Sequence, residues 1–148
     1  MPTGPALAEL PAEDQAVLKQ YEGQPMTTGP QAKAFAEQYI SVHLERSCQN
    51  LVSADGTKTF DPIPEGMRNH NGIGGIFRSG ALTDPDEIQA YAALRQDFFM
   101  GDMLRGTLLN VYGWSILASI GYYAGIALCG ATPLLLGAAA VFKPPGDC

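Results

Sequence analysis

Polar and apolar positions alternate with a helical period through several segments of the first hundred residues, and then the alternation stops. In "TTGPQAKAFAEQYISVHLERSCQNLVS" the apolar residues Ala32, Phe35, Ala36, Tyr39, Ile40, Val42 and Leu44 recur at three- and four-residue intervals. Lys33, Glu37, Gln38, Glu45 and Arg46 occupy much of the remainder, so one helix packing a single face is predicted. It opens at Thr28 or Gly29 with Pro30 in the first turn, and frays near Cys48 to Asn50. A shorter helix is predicted in "PAEDQAVLKQYEG": Pro11 is tolerated in a first turn, Glu13 and Asp14 suit the positive end of the helix dipole, and Gly23 is a stop. Residues 1–10, rich in Pro, Gly and Ala, are expected to be disordered.

Residues 53–82 hold six glycines and two prolines without a sustained period, which predicts a long Gly-rich loop. A loop of that length in a compact unit is usually functional or held by a partner, and disorder is the competing reading. Ile73, Ile76 and Phe77, standing among the glycines, favour a partner-contact role. Helical pattern restarts at "TDPDEIQAYAALRQDFFMGDMLRG", with Asp84 as N-cap, Pro85 in the first turn and Glu87 as the return partner of a capping box. No proline follows until Pro133, so this helix is expected to run directly into the apolar stretch.

Residues 107–142 contain no Asp, Glu, Lys, Arg or His, whereas residues 1–106 carry 14 of the 15 acids and 8 of the 9 Lys and Arg. A bilayer core needs about 20 apolar helical residues, and so small a chain has too little protein to cover such a helix on every side. The run is therefore read as a transmembrane helix, with its span at about 114–136 and Tyr112 and Trp114 at the membrane interface. As one helix it is roughly 54 Å long against a hydrocarbon core of about 30 Å, so part of it must tilt, kink or project. Pro133 is a candidate kink. A two-span hairpin is the alternative, disfavoured because no polar turn divides the run. The predicted fold is mainly α: a helical extramembrane region over 11–106 with its loop at 53–82, the transmembrane helix 107–142, and a tail over 143–148.

Charge and chemistry change this picture little. A net charge of −6 opposes nucleic-acid binding, which requires a basic surface. Lys58, Arg68, His70 and Arg78, the densest basic group, are spread among acids and read as a solvated loop. Cys48, Cys129 and Cys148 form no CxxC motif and are expected as free thiols. His43 and His70 with Glu45 or Asp61 could in principle form a two-histidine, one-carboxylate iron site, but their spacing does not support it. "NGIGGIFRSG" is neither a dinucleotide fingerprint nor a phosphate loop. No catalytic constellation is readable, and no cofactor or metal is expected. The N-terminal stretch has neither basic nor apolar signal regions, so the C-terminal run is expected to direct insertion.

Within the run, Gly121 and Gly125 form a GxxxG pair, and Ala118, Gly121, Gly125, Cys129 and Thr132 fall on one helical face. Small residues let two helix backbones approach closely in lipid, so this face is expected to pack against another helix. At "GPQAKAFAEQYISVHL" and "FFMGDMLRGTLLNVYGW" the chain resembles small actinobacterial membrane proteins of unassigned function. That resemblance implies a Gly/Ala-rich helix followed by a C-terminal span. A ring-cleaving dioxygenase label carried by some such proteins would imply a metal site, for which this sequence offers no recognisable ligand set.

Together these features predict a single-pass protein of the bacterial plasma membrane, serving as an accessory or assembly subunit of a larger complex, with a respiratory complex as one candidate. Its expected partners are other membrane subunits or a second copy through the transmembrane helix, together with the lipid bilayer. Arg95 and Arg105 before the run, against Lys143 after it, favour a cytoplasmic N-terminal region. A membrane-anchored module that binds or senses a small molecule is the alternative.

Overall fold

The protein was analysed as a computed structural model that describes residues 1–141, with side chains described to residue 138. The described residues fold into helices: α1 (Pro5–Ala8), α2 (Ala12–Lys19), α3 (Gly29–Ala34), α4 (Ser41–Gln49), α5 (His70–Arg78) and α6 (Pro85–Val141). A π-helical stretch, Phe35–Ile40, joins α3 to α4 without interruption. Among the described residues a single antiparallel bridge, Val52 with Thr59, closes the connection after α4. The mainly α reading holds, and so does the direct passage of the last helix from polar to apolar sequence. Phe142 and the tail over 143–148, including Cys148, lie outside the described residues.

α3 begins as its sequence dictates. The Thr28 hydroxyl accepts the Gln31 amide at 3.4 Å, and the Gln31 side chain accepts the Thr28 and Thr27 amides at 3.0 and 2.9 Å. This capping box satisfies amides that a helix start leaves open, and Gln31 sits almost wholly buried while doing so. At α6 the Asp84 carboxylate accepts the Asp86 amide at 2.9 Å and the Lys58 ammonium at 2.9 Å, and Lys58 also pairs with Asp86. The connection after α4 is thereby tied to the start of the long helix.

Ile40, Leu44 and Cys48 from the π-turn and α4, Ile63 and Ile73 from the connection and α5, and Tyr91, Leu94 and Phe98 from α6 form the main core. Burial of Cys48 pushes its thiol pKa up to about 11, which keeps it neutral and inert. The helices approach closely where glycine permits. A Cβ on Gly101 would meet the Leu44 side chain at 2.8 Å, and one on Gly29 would lie 2.6 Å from the Ser115 Cβ and 3.3 Å from the Tyr112 Cα. Gly29 and Ser115 mark the far end of the contact between the helical domain and α6.

Two expectations are corrected. Residues 53–82 are not one continuous loop, because Asn69 caps α5 through its side chain, accepting the Gly72 amide at 2.9 Å. Ile73 is wholly buried in this chain's own core and Ile76 packs on its edge, while Phe77 remains 39% exposed. Of the three residues expected at a partner contact, only Phe77 keeps a substantial exposed surface. The glycines concealed the helix because their low helical propensity is overridden by burial of Ile73 against α6. Residues 1–10 are not featureless either: Leu7 and Leu10 join Leu18 and Ala34 in a second small core, and the terminal ammonium donates to the Gln24 carbonyl at 2.9 Å.

Candidate functional site

α6 is 57 residues long, or about 85 Å at 1.5 Å per residue. Its first part is the spine of the helical domain, covered along one side by α3, the π-turn, α4 and α5. Cover ends abruptly: Tyr112, Gly113 and Ser115 are partly buried, and every residue from 116 to 138 is exposed. That bare length is about 34 Å, close to a hydrocarbon core of about 30 Å. One helix of the described residues is therefore long and apolar enough to cross a membrane.

The serine and threonine hydroxyls along this segment are satisfied within the helix. Ser115 donates to the Tyr112 carbonyl at 2.7 Å, Ser119 to Ser115 at 2.8 Å and Thr132 to Leu128 at 2.7 Å. In lipid that arrangement removes the cost of an unpaired polar group. Tyr112 and Trp114, assigned to the interface, have different surroundings. Lys33 lies over the Tyr112 ring, 5.2 Å from its centroid, whereas Trp114 is 66% exposed.

Ala118, Gly121, Gly125, Cys129 and Thr132 all lie on the bare segment, and Cβ atoms added at Gly121 and Gly125 would meet nothing within 4 Å. The same face continues backwards out of the bare segment, at spacings of three and four residues, through Trp114, Val111, Thr107, Leu104 and Met100. These five are exposed although they run beside the folded domain. At 100° per residue the stripe lies about 120° round the helix from the buried face. This extramembrane extension was not anticipated; its 3–4 spacing was visible, but not which apolar residues the domain would leave uncovered.

The π-turn touches α6 on the opposite side. The Ala36 carbonyl accepts both the Ser41 amide, which makes the π-type bond, and the Arg105 Nε at 3.2 Å. Arg105 also pairs with Asp102 at 3.4 Å. A widened turn thus presents a carbonyl to a cation on the long helix and fixes the two elements in register. Beside it, a cleft of about 570 Å³ is lined by charged groups including Arg46, Arg105 and Asp102, and by the ion pair between Arg68 and Glu45.

A second cleft, of about 360 Å³, lies between α5 and α6 and is lined by His70, Phe77, Arg95 and Phe99. Arg95 Nε is buried there without a hydrogen-bond partner, and the His70 Nδ1 lies 3.3 Å from the Arg95 carbonyl. The other histidine is held on its own helix, with His43 Nδ1 3.1 Å from the Tyr39 carbonyl and its ring tilted 34° against that of Tyr39, centroids 4.3 Å apart. Among the described residues no three His, Cys, Asp or Glu side chains gather as a metal-holding group. No family model, curated protein or solved structure matches this chain.

Proposed function

We propose that the protein is a single-pass subunit of a bacterial plasma-membrane complex, serving in its assembly or as an accessory component, with the outward stripe of α6 as its docking face. The observation that carries this reading is the alignment of two unlike surfaces. Met100, Leu104 and Val111 leave apolar surface exposed outside the membrane, where water penalises it, and that stripe runs in line with Ala118, Gly121 and Gly125 inside. A partner helix lying along α6 would cover both, gaining hydrophobic burial outside the bilayer and close van der Waals packing within it. The 3–4 spacing suits a left-handed helix pair.

A cytoplasmic helical domain is supported by the membrane-proximal cations. Lys33 over Tyr112 joins Arg95 and Arg105 on the domain side, and positive charge is favoured on the cytoplasmic side. The test is purification of the full chain from its native membrane in mild detergent, with identification of what migrates with it. Gly121→Ile and Gly125→Ile, together with Met100→Glu and Val111→Glu, are expected to release the companion subunits or the second copy. Recovery of the unaltered protein as a lone monomer would overturn the proposal.

A further inference from the structure

Arg95 lines the cleft between α5 and α6, and the guanidinium of Arg78, next in sequence to the lining residue Phe77, approaches it over Gly74, with no carboxylate lining the cleft. Gly74 is the reason they can meet: a Cβ built on it would lie 3.1 Å from Arg78 Nη1 and 3.1 Å from Arg95 Nε. The two nitrogens are therefore within roughly 6 Å of each other, a separation that the oxygens of one oxyanion can bridge. Among the described residues neither arginine has an ion-pair partner, although Lys58, Arg68 and Arg105 are all ion-paired. Arg95 Nε is buried with no acceptor, which is costly for a charged donor. α5 contributes no acid, and its sequence reads HNGIGGIFR.

Around these cations the walls are of mixed character. His70 uses Nδ1 toward the Arg95 carbonyl, which leaves its Nε2 for another partner. Phe77 and Phe99 line the same cleft with 39% and 48% of their surface exposed, so two aromatic side chains stand beside the positive groups without being used in the core. His70 and Phe99 already face each other, with ring centroids 5.8 Å apart. A fork of donors beside apolar walls is the arrangement that fixes a small amphiphilic ligand by its charged end.

We propose that this cleft binds a small organic anion, with a carboxylate or phosphate head held by Arg78 and Arg95 and a flat apolar body against Phe77 and Phe99. The site is separate from the outward stripe of α6, and it does not depend on the assembly role argued above. Its sequence signature was only partly visible: Arg78 and His70 stand in the glycine-rich stretch, but Arg95 reaches them only because α5 packs on α6.

The full chain in detergent, titrated with benzoate, phenyl phosphate and inorganic phosphate by calorimetry, tests the proposal and separates the two head-group chemistries. Saturable binding is expected for benzoate or phenyl phosphate, with the aromatic ligand at least several-fold tighter than inorganic phosphate. Arg78→Met, at an exposed position, is expected to weaken binding about tenfold or more without loss of helicity, and Arg95→Met likewise. Phe77→Ala should reduce the preference for phenyl phosphate over inorganic phosphate. The absence of saturable binding, binding unchanged in Arg78→Met, or inorganic phosphate binding as tightly as the aromatic anions would each overturn it.

Discussion

Up to Phe98, α6 buries Ala90, Tyr91, Leu94 and Phe98 under the rest of the domain, whereas from residue 116 to residue 138 every residue of the same helix is exposed. Backbone hydrogen bonding is alike in both parts, since each amide bonds within its own helix wherever a proline does not intervene. The difference lies in what the side chains meet. In the first part apolar residues face the core on one side and polar residues occupy much of the other, while in the second every direction is apolar. A helix in water needs one covered face, and a helix in lipid needs none. Ser115, pressed against Gly29, is the point of change.

The largest effect expected is on a core isoleucine compared with a lipid-facing one. Ile73→Ala removes packing from a fully buried site and should cost about 2–5 kcal/mol, whereas Ile120→Ala, at a residue 60% exposed, should change the domain's stability by less than about 0.5 kcal/mol. Thermal unfolding in detergent followed by circular dichroism measures both, and equal losses would erase the distinction between the two parts. Insertion gives the reverse contrast. Leu128→Arg places a charge near mid-span and should oppose integration by about 2.5–3.5 kcal/mol, while Val111→Arg should integrate normally in a glycosylation-mapping assay.

The boundary itself can be broken from the domain side. Gly29→Val drives a Cβ into Ser115 and the Tyr112 backbone, and overpacking of this kind costs about 1–3 kcal/mol. Unfolding midpoints should fall and protease sensitivity near α3 should rise, with membrane insertion unaffected. Loss of the α3 cap in Thr28→Ala should cost about 1 kcal/mol by the same unfolding measurement.

Acid should have the smallest and most local effect. Hydrogen bonds from Ser53 and from the Thr57 amide and hydroxyl hold Asp55 down to about 2, and the Lys58 ammonium with the Asp86 amide holds Asp84 below the usual carboxylate range. A lowered carboxylate pKa contributes stability above its ordinary value of 3.8, and that contribution is lost as the pH falls through the folded value. Lys58, held above the lysine range by Asp86 and Asp84, keeps its charge across this window. Hydrogen exchange should therefore show the connection around Val52 and Thr59 loosening between about pH 4 and pH 2, ahead of any change in the uncharged segment past residue 115. Simultaneous loosening of both would contradict the assignment.

Much of this architecture was legible in the residues because it rests on local rules. The capped start at Thr28 and Pro30, the restart at Asp84 and Pro85, and the apolar run too long for any core of this size needed no tertiary information. α5 was not legible: four of its nine residues are Gly or Asn, and only burial of Ile73 in the core that α5 shares with α6 offsets their poor propensity. Leu7 and Leu10 were concealed by prolines and glycine in the same way.

The candidate sites divide along the same line. Spacing alone aligned Ala118, Gly121, Gly125, Cys129 and Thr132 on one face, because a helix repeats every 3.6 residues whatever surrounds it. Spacing could not tell that Met100, Leu104 and Val111 extend this face into water, nor that Arg95 meets Arg78 across Gly74. Both depend on which side of α6 the other helices cover, and that choice is made by long-range packing of Leu44 on Gly101 and Gly29 on Ser115. The sequence by itself determined that the chain is helical and ends in a segment suited to lipid. Only the tertiary structure decided where the domain stops, which apolar surface it leaves bare and which charges it brings together, because exclusion of water at each position depends on neighbours far away in the chain.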